Sequence, residues 1–433
     1  MRHERLGRYS FLAADPFEFW RMDVERLRSP FAELAEKTSA FRSSPLPHLP
    51  PFQGGAAGLL GYDLNRSLEA IAPPRFDEFQ TPPAAIGFYD VVLAFDHQQD
   101  AAWLISQGFP ETDPDARRKR AAERLQQFRR WLSEEPSETA AWEPVDPLSI
   151  DDIAPQFPTD KREDLTSDFS ADGYRDSVQR VIDYILDGDA FQVNLSQRLL
   201  TPQTDHSAAL YRRLRDRNPA TFAGYFDLGD FQIVSASPER FLRLSDNWVE
   251  TRPIKGTRLR TTLPEADLFS AQALRQSEKD RAENIMIVDL LRNDLSRVCL
   301  PESVQVTQLC ELESYQFVQH LVSAVRGRLA PEHSPWELLE AAFPGGSITG
   351  APKVRAMEII AELESTARGP YCGGLGYHSF CGAMDWNLLI RTITAGRGWL
   401  QLPVGGGVVA QSSPRSEYEE TWSKAAGMLR ALR

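Results

Sequence analysis

The chain has 433 residues, of which 42% are hydrophobic and 25% charged, a composition typical of a globular protein with one large core or two smaller ones. Its formal net charge of -13 disfavours a surface that binds nucleic acid or an anionic membrane. The cysteines form no CxxC pair and no apolar run approaches membrane-spanning length. We therefore expect a cytoplasmic protein without a disulfide framework or a zinc site.

The first two regions of the chain differ in composition. In residues 1–110, short apolar runs at 84–88, 91–95 and 103–106 are broken by Pro and Gly, which predicts β-structure. The second region, residues 111–170, opens with a charged amphipathic helix and continues as an acidic, Pro-rich stretch. Such a stretch has little to bury, so we predict a linker or surface excursion.

The third region, residues 171–433, has denser regular patterns. Helices are predicted at 172–186, 277–295, 352–363 and 414–432, and strands at 191–200, 233–235, 240–244, 388–395 and 400–404. Helices and strands are mixed without regular alternation, which favours the α+β class. We expect this region to form one intertwined unit with residues 1–110.

Two predicted helices each carry an acidic pair at a spacing of three residues. These pairs are Asp280 with Glu283, and Glu417 with Glu420. Residues three apart share one helix face, and paired carboxylates suit Mg²⁺, which keeps waters for substrate oxygens. The alternative is that each pair is solvated helix surface, with Glu420 simply bound to Lys424.

A Gly-rich segment at residues 343–353 (FPGGSITGAPK) leads into the helix predicted at 352–363. Backbone N–H groups at such a site bind anions. Ala351 and Pro352 stand where a phosphate loop needs Lys and Ser or Thr, so a carboxylate is the better candidate ligand. A tight turn followed by a helix with Pro352 in its first turn is an equally good interpretation of this segment alone.

A second glycine cluster, Gly405, Gly406 and Gly407, follows a predicted strand and would let a ligand or another backbone approach closely. A bulge or strand exit is the alternative. Arg391 lies inside an apolar strand pattern. A charge there needs a partner, which could be a ligand carboxylate bound bidentately or a core acid in a structural ion pair.

Lys255, between Pro253 and Gly256, is predicted at a strand end. A surface lysine is its commonest fate, and Glu239, His320 and Gln192 have similarly ordinary interpretations as a turn residue, a core histidine and a polar strand residue. Taken together, the patterns indicate a pocket for a dicarboxylate bound through a divalent metal, with a nucleophilic amine inside it. They do not specify a reaction.

From about Asp172 to its end the chain is similar to the chorismate-utilising enzymes. The resemblance rests on these motifs, in order: FQVNLSQR, SPERFL, PIKGT, KDRAENIMIVDLLRNDLSRV, FPGGSITGAPKVRAMEII, YCGGLGYHSFCGAMDWNLLIRT and GGGVVAQSSPRSEYEETWSKA. The segment GRYSFLAADP also resembles the family's amino-terminal part. The implied fold is α+β: two packed antiparallel β-sheets with helices outside and a cleft between them.

The resemblance implies Mg²⁺ on Glu283 and Glu420, with Asp280 and Glu417 behind them, holding the ring carboxylate of chorismate. It implies that Lys255 adds to the ring as the 4-hydroxyl leaves, and that Glu239 manages the protons. Arg252 could lower the pKa of Lys255. The remaining implied substrate contacts are Arg391, Tyr377, Gly405, Gly406 and Gly407 at the enolpyruvyl carboxylate, Thr349 and Lys424 at other oxygens, His320 near the ring, and Gln192.

The central residue of the PIKGT motif separates branches of the family. Lysine there is typical of the large component of aminodeoxychorismate synthases, which form 4-amino-4-deoxychorismate for folate synthesis, whereas anthranilate synthases usually carry alanine. Gln192 agrees, because isochorismate and salicylate synthases usually have a water-activating lysine at that place. The alternatives are anthranilate synthase component I and an inactive chorismate-binding regulatory subunit.

Two family features are missing from this sequence. It contains no nucleophilic cysteine in a Gly-x-Cys-x-Gly turn, so ammonia is expected from a partner glutaminase subunit or from solution. The serine-bearing motif that helps family members bind inhibitory tryptophan is also not found, so the sequence does not predict that regulatory pocket.

Overall fold

The computed structural model describes residues 6–134, 144–260, 264–314 and 318–433. The described strands, numbered in chain order, are β1 (Tyr9–Leu12), β2 (Glu18–Arg21), β3 (Gly55–Leu60), β4 (Ala84–Tyr89), β5 (Val91–Asp96), β6 (Ala101–Ser106), β7 (Phe157–Pro158), β8 (Thr166–Ser167), β9 (Gln192–Pro202), β10 (Gly224–Asp227), β11 (Phe231–Ser235), β12 (Arg240–Ser245), β13 (Trp248–Arg252), β14 (Ile254–Leu259), β15 (Gln305–Ser314), β16 (Val318–Arg328), β17 (Gly350–Ala351), β18 (Gly374–Ser379), β19 (Met384–Leu388), β20 (Thr392–Gly396) and β21 (Trp399–Val408). The described helices are α1 (Phe31–Ser39), α2 (Pro114–Ser133), α3 (Ala171–Leu186), α4 (Ser207–Arg217), α5 (Pro264–Gln276), α6 (Glu278–Ser296), α7 (Pro335–Ala342), α8 (Lys353–Leu363) and α9 (Pro414–Ala431).

These strands form two large antiparallel sheets and one small one. The ten-stranded sheet has the order β14-β16-β13-β12-β19-β18-β3-β4-β2, with β15 beside β16. The eight-stranded sheet has the order β10-β11-β20-β21-β9-β8-β7, with β17 beside β9. The small sheet, β1-β5-β6, was not predicted.

The two large sheets pack face to face with helices outside. Leu59 of β3 and Leu200 of β9 meet in one buried cluster between the sheets. On the outer face of the ten-stranded sheet, Leu60 joins a core with α1, α6 and α7, and α3, α4, α8 and α9 cover the eight-stranded sheet. Strand β3 therefore buries both faces, as expected for a strand without polar alternation. The α+β prediction is confirmed.

The first and third regions share a sheet. Residues 374–379 of β18 pair with residues 55–60 of β3 in antiparallel register. The predicted linker also contributes, because β7 and β8 add an edge to the eight-stranded sheet and Leu165 is fully buried. Residues 135–143 of that linker lie outside the described residues. Among the residues that are described, no helix has both the length and the apolarity needed to cross a bilayer.

Helix starts were predicted to within a residue, but one cap was misassigned. Asp172 was predicted to begin the first helix of the third region. Instead α3 begins at Ala171, and the hydroxyl of Ser170 caps it by accepting from the Gly173 N–H at 3.0 Å. Helix α6 is capped by Ser277 in the same way. Both cases follow the preference of serine for the N-cap position.

Two predictions about strands near the glycines and Arg391 were wrong. The apolar run 388–395 is not one strand: β19 belongs to the ten-stranded sheet, β20 to the eight-stranded sheet, and Arg391 lies between them with φ 54°. The run stays apolar because both strands are buried, so the change of sheet is invisible in the pattern. Strand β21 also continues to Val408, which places Gly405, Gly406 and Gly407 inside the strand.

Candidate active site

The Gly-rich loop (residues 345–351) lies where the two large sheets approach each other. A short 3-10 turn, Gly346–Ile348, is followed by β17, which pairs with Val193 and Gln192 of β9 in the eight-stranded sheet. Ser347 in the turn bonds Lys255 of β14 and Glu239, which immediately precedes β12, and both strands belong to the ten-stranded sheet. The loop therefore connects the two sheets at the cleft.

Lys255, Ser347 and Glu239 form a chain of hydrogen bonds. The Lys255 Nζ donates to the Ser347 carbonyl oxygen at 3.3 Å. The Ser347 hydroxyl donates to Glu239 Oε1 at 2.7 Å, and Glu239 is 5% exposed. An amine and a carboxyl thus share one loop residue, within the reach expected for a nucleophile and an acid acting on the same molecule.

Burial changes the ionisation of both groups. Burial raises the pKa of Glu239 to about 7, although the Ser347 hydroxyl and the Lys255 ammonium oppose the rise. Burial also lowers the pKa of Lys255, and the carboxylates of Glu283 and Glu239 oppose that fall. Both shifts favour the neutral form, which an attacking amine and a proton-donating acid each require.

The expected role of Arg252 in this shift is not supported. Arg252 is ion-paired with Glu313, so its charge is balanced on its own side of the sheet. The positive neighbour that does lower the pKa of Lys255 is Lys424. Arg252 ends β13 and lies three residues before Lys255, which belongs to β14, so the two are not neighbours in one strand.

Lys255 lies inside β14 and not at its end, next to a bulge. The register between β14 and β16 shifts between Lys255 and Thr257, and Gly256 has φ 66°. This positive φ favours glycine, and a Cβ there would also lie 2.7 Å from Leu274 Cδ1 and 3.0 Å from Asp280 Cγ. The bulge re-aims the strand beside the acidic residues of α6.

The two acidic pairs face a common space. Glu283 on α6 and Glu420 on α9 both have Lys255 and Lys279 as positive neighbours. Glu283 is 13% exposed and its burial raises its pKa. Burial also acts on Glu420, but the bond to Lys424 at 2.8 Å and the neighbouring lysines outweigh it and lower its pKa.

The residues behind these carboxylates are bound to neighbours. Glu417 is buried, and its Oε1 accepts from the Ser412 hydroxyl at 2.6 Å. Asp280 lies 3.7 Å from the Arg258 guanidinium. The alternative that both pairs are ordinary solvated surface is therefore wrong for Glu283 and Glu417, while Glu420 does make the predicted bond to Lys424.

The carboxylates on α6 and α9 match what Mg²⁺ requires of a protein. Among the described residues, no three His, Cys, Asp or Glu side chains are grouped closely enough to hold a metal alone. Mg²⁺ typically binds one or two carboxylates and completes its shell with waters and substrate oxygens. Glu283 and Glu420 fit that requirement, and the substrate would supply the rest.

The floor of this space is β21. The Lys424 Nζ donates to the Gly405 carbonyl oxygen at 2.8 Å. A Cβ on Gly406 would lie 3.3 Å from Glu417 Oε2, and one on Gly407 would lie 2.5 Å from Gln192 Nε2. Side chains at these positions would fill the cleft. Gln192 is fully buried, and its side-chain N and O have no hydrogen-bond partner in the described part of the chain.

Arg391 reaches the cleft from the crossover between the sheets. Burial lowers its pKa, with Tyr371 and Glu420 opposing the fall. The described residues provide it with no ion pair, so the alternative of a structural pair with a core acid is wrong within that part of the chain. Burial and the Arg391 charge lower the pKa of His320 to about 4, so this histidine is neutral.

A partly buried guanidinium and a glycine-lined backbone suit a carboxylate, and the paired carboxylates suit a divalent cation. Residues 6–430 match the family model described as chorismate binding enzyme. The chain belongs to that family. It is 43% identical to aminodeoxychorismate synthase component 1 of Salmonella typhimurium, covering 90% of this chain and 79% of that protein.

Other relatives of this chorismate-binding enzyme carry a different name. It is 41% identical to anthranilate synthase component 1 of Thermus thermophilus, over 94% of this chain and 83% of that protein. The crystal structure of anthranilate synthase component I from Streptococcus pneumoniae superposes with a TM-score of 0.81 at 33% identity, covering 97% and 92% of the two chains. The family is thus shown, but the branch is not.

Two predicted site residues of this chorismate-binding enzyme lie elsewhere or are already engaged. Tyr377 does not join the cleft: its ring stacks on Phe52 at 4.5 Å and contacts Phe11 in a separate buried cluster. The Thr349 hydroxyl is fully buried and donates to the Gly345 carbonyl oxygen at 3.1 Å, so it holds the loop in shape.

Three residues in the cleft were missed. Tyr371 is buried and acts electrostatically on Arg391, and it belongs to the same YCGGLGY motif as Tyr377. Ser347 lies in the Gly-rich segment and Lys279 begins KDRAEN. The spacing could have suggested Lys279, because it lies four residues before Glu283 on α6. Nothing in the local pattern distinguishes Tyr371 from Tyr377.

Proposed function

We propose that this chain is the large component of an aminodeoxychorismate synthase. It would convert chorismate and ammonia into 4-amino-4-deoxychorismate and water. The observation that carries the proposal is the Lys255 amine in the cleft, joined through Ser347 to the Glu239 carboxyl. Both groups are shifted toward their neutral forms, as a nucleophile and an acid require.

The residues would act in two steps. The Lys255 amine forms a C–N bond with the ring while the C–O bond at ring carbon 4 breaks, and Glu239 gives the leaving hydroxide its proton. Ammonia then forms a bond to carbon 4 and the bond to Lys255 breaks. The extra proton of the added ammonia returns to Glu239, so the carboxyl and the amine are regenerated.

The two carboxylates of the substrate would occupy opposite ends of the cleft. Mg²⁺ held by Glu283 and Glu420 would polarise the ring carboxylate when bound. Arg391, with Tyr371 beside it, would hold the enolpyruvyl carboxylate, because guanidinium groups bind carboxylates bidentately. Gly406 and Gly407 would leave room between these ends, beside Gln192.

Anthranilate synthase component I is the second candidate, and the Thermus thermophilus and Streptococcus pneumoniae relatives support it. Lys255 favours the first candidate, since anthranilate synthases usually carry alanine there. An inactive chorismate-binding subunit is disfavoured by the buried acid and amine in the cleft, whose pKa values are both shifted toward the neutral form. The name component 1 of the relatives also supports a partner glutaminase that supplies ammonia.

A product assay separates these functions. The purified chain is incubated with chorismate, MgCl₂ and an ammonium salt, and products are separated chromatographically. We expect aminodeoxychorismate, no product when glutamine replaces ammonium, and loss of most product in Lys255→Ala. Lys119→Ala, which removes an exposed lysine from α2, is the matched control and should keep full activity.

Each other outcome has a definite meaning. Anthranilate as the main product would contradict the proposed branch and favour the second candidate. The absence of any product at high ammonium would favour the binding subunit. Full activity in Lys255→Ala would remove the covalent step, whatever the product.

A further inference from the structure

Lys279 lies close to carboxylates on both α6 and α9, the helices that carry the acidic pairs. From α6 its Nζ lies 3.9 Å from Glu283 Oε1 on the same helix and 3.5 Å from Glu417 Oε1 on α9. Its positive charge also lowers the pKa of Glu420. One ammonium is thus placed among the same carboxylates that would surround the metal.

The charges in this space are already largely balanced without a metal. Glu283, Glu417 and Glu420 supply negative charge, and Lys279 and Lys424 supply positive charge. A divalent cation entering here meets repulsion from each ammonium, which grows as the separation shrinks. Metal binding and retention of Lys279 at its present position therefore oppose each other.

The two lysines differ in how firmly they are held. Lys424 bonds Glu420 and the Gly405 carbonyl oxygen, each at 2.8 Å. Lys279 makes longer contacts and its side chain is 44% exposed. A long lysine side chain at a helix surface reaches water by rotating about its own bonds. Lys279 is the lysine that can leave without breaking a backbone contact.

We propose that Lys279 is the internal counter-ion of the metal site. It neutralises Glu283 and Glu417 in the metal-free protein and moves toward solvent when Mg²⁺ enters. Mg²⁺ should consequently bind weakly alone and more tightly with chorismate. The two negative charges of the substrate offset the positive charges of the lysines that stay in the cleft. This inference rests on the proposed function, which places Mg²⁺ on Glu283 and Glu420.

The test compares Lys279→Met with Lys119→Met. Both substitutions remove one positive charge from an i,i+4 pair, since Lys119 Nζ lies 4.0 Å from Glu123 Oε1 on the exposed face of α2. Mg²⁺ affinity is measured by isothermal titration calorimetry, with and without chorismate and in the absence of ammonia. No turnover is needed for this readout.

We expect Lys279→Met to bind Mg²⁺ about tenfold more tightly than wild type without chorismate, a change of about 1.4 kcal/mol. The same gain should appear with chorismate present, because Lys279 leaves the metal site in both complexes. Lys119→Met should match wild type. Lys279→Arg, which keeps the charge, should restore affinities close to those of wild type.

The contrary outcomes separate this inference from the function on which it rests. If wild type binds Mg²⁺ with chorismate but Lys279→Met binds it no more tightly than Lys119→Met does, the counter-ion inference is overturned and the proposed function stands. If wild type shows no Mg²⁺ binding even with chorismate, the metal site of the proposed function is overturned and the counter-ion inference with it.

Discussion

The buried Arg368 and the partly buried Arg391 differ in how the protein balances their charges. Arg368 donates two hydrogen bonds to Glu364 at 2.7 Å and further bonds to the carbonyl oxygens of Asn194 and Ile348. In the cleft, Arg391 has electrostatic neighbours but no ion pair among the described residues. Arg368 is therefore hydrogen-bonded within its own chain, whereas the charge of Arg391 is not balanced in this way in the described part of the chain.

The acids Glu364 and Glu283 differ in the same way. Glu364 binds Arg368 and accepts bonds from the Ser196 N–H and hydroxyl. Glu283 has Lys255 and Lys279 as positive neighbours and Asp280 and Glu417 as negative ones, and burial raises its pKa. Among the described residues, the charges of Arg368 and Glu364 are hydrogen-bonded within the protein and those of Arg391 and Glu283 are not, which makes the latter two the candidates for ligand binding, because an unpaired buried charge is costly.

The largest expected effect comes from replacing Glu283 and Glu364, one at a time, by glutamine. Glu283→Gln should lower turnover by about a thousandfold or more, as loss of a substrate-orienting charge typically does, and leave the free energy of unfolding nearly unchanged. Glu364→Gln should instead cost about 3–5 kcal/mol of stability, because it strands the buried Arg368. Steady-state kinetics and urea unfolding of both variants give the comparison. A large stability loss in Glu283→Gln would contradict it.

Substitution of the two arginines should give the same contrast between activity and stability, with a smaller effect on activity than Glu283→Gln has. Arg391→Met should lower kcat/KM by about a hundredfold, since truncating one partner of a buried charge pair costs about 2–5 kcal/mol of binding. Its thermal stability should be equal to or above that of wild type, because a buried charge is removed. Arg368→Met should melt at markedly lower temperature. Equal melting temperatures for the two variants would break the comparison.

Much of this architecture could be predicted from sequence, but the paths between sheets could not. Periodicity and capping residues indicated α6 and α9, and with them the faces that carry Glu283 and Glu420. The crossover at Arg391 was missed because buried strands in different sheets have the same apolar pattern. Tyr377 was placed wrongly because the direction of its side chain depends on the register of β18 with its neighbouring strands.

A smaller effect should appear in the pH dependence of stability. Glu239 has a pKa of about 7 in the folded protein against 4.5 ordinarily, so the folded state holds the extra proton between these values. The contribution of this proton to the free energy of unfolding is therefore fully present below pH 4.5. It is lost as pH rises through 7, by up to about 1.4 kcal/mol per pH unit. Glu239→Gln cannot lose this proton.

Urea unfolding without chorismate, between pH 5 and 8, tests this expectation. The unfolding free energy of Glu239→Gln should rise relative to wild type by about 2–3 kcal/mol over that range. Glu337→Gln is the control, because the Ser334 backbone N–H lowers the pKa of Glu337 and its titration falls at lower pH. A difference that stays flat for Glu239→Gln would show that Glu239 is ionised throughout.

The most direct test of the account is whether Lys255 forms a covalent bond with the substrate. Wild type is incubated with chorismate and Mg²⁺ without ammonia, quenched, digested and analysed by peptide mass spectrometry. We predict an adduct of chorismate minus one water on the peptide that contains Lys255, lost when ammonium is added before quenching. A protein that forms aminodeoxychorismate at full rate but shows no adduct, while Lys255→Ala remains equally active, would contradict the central claim.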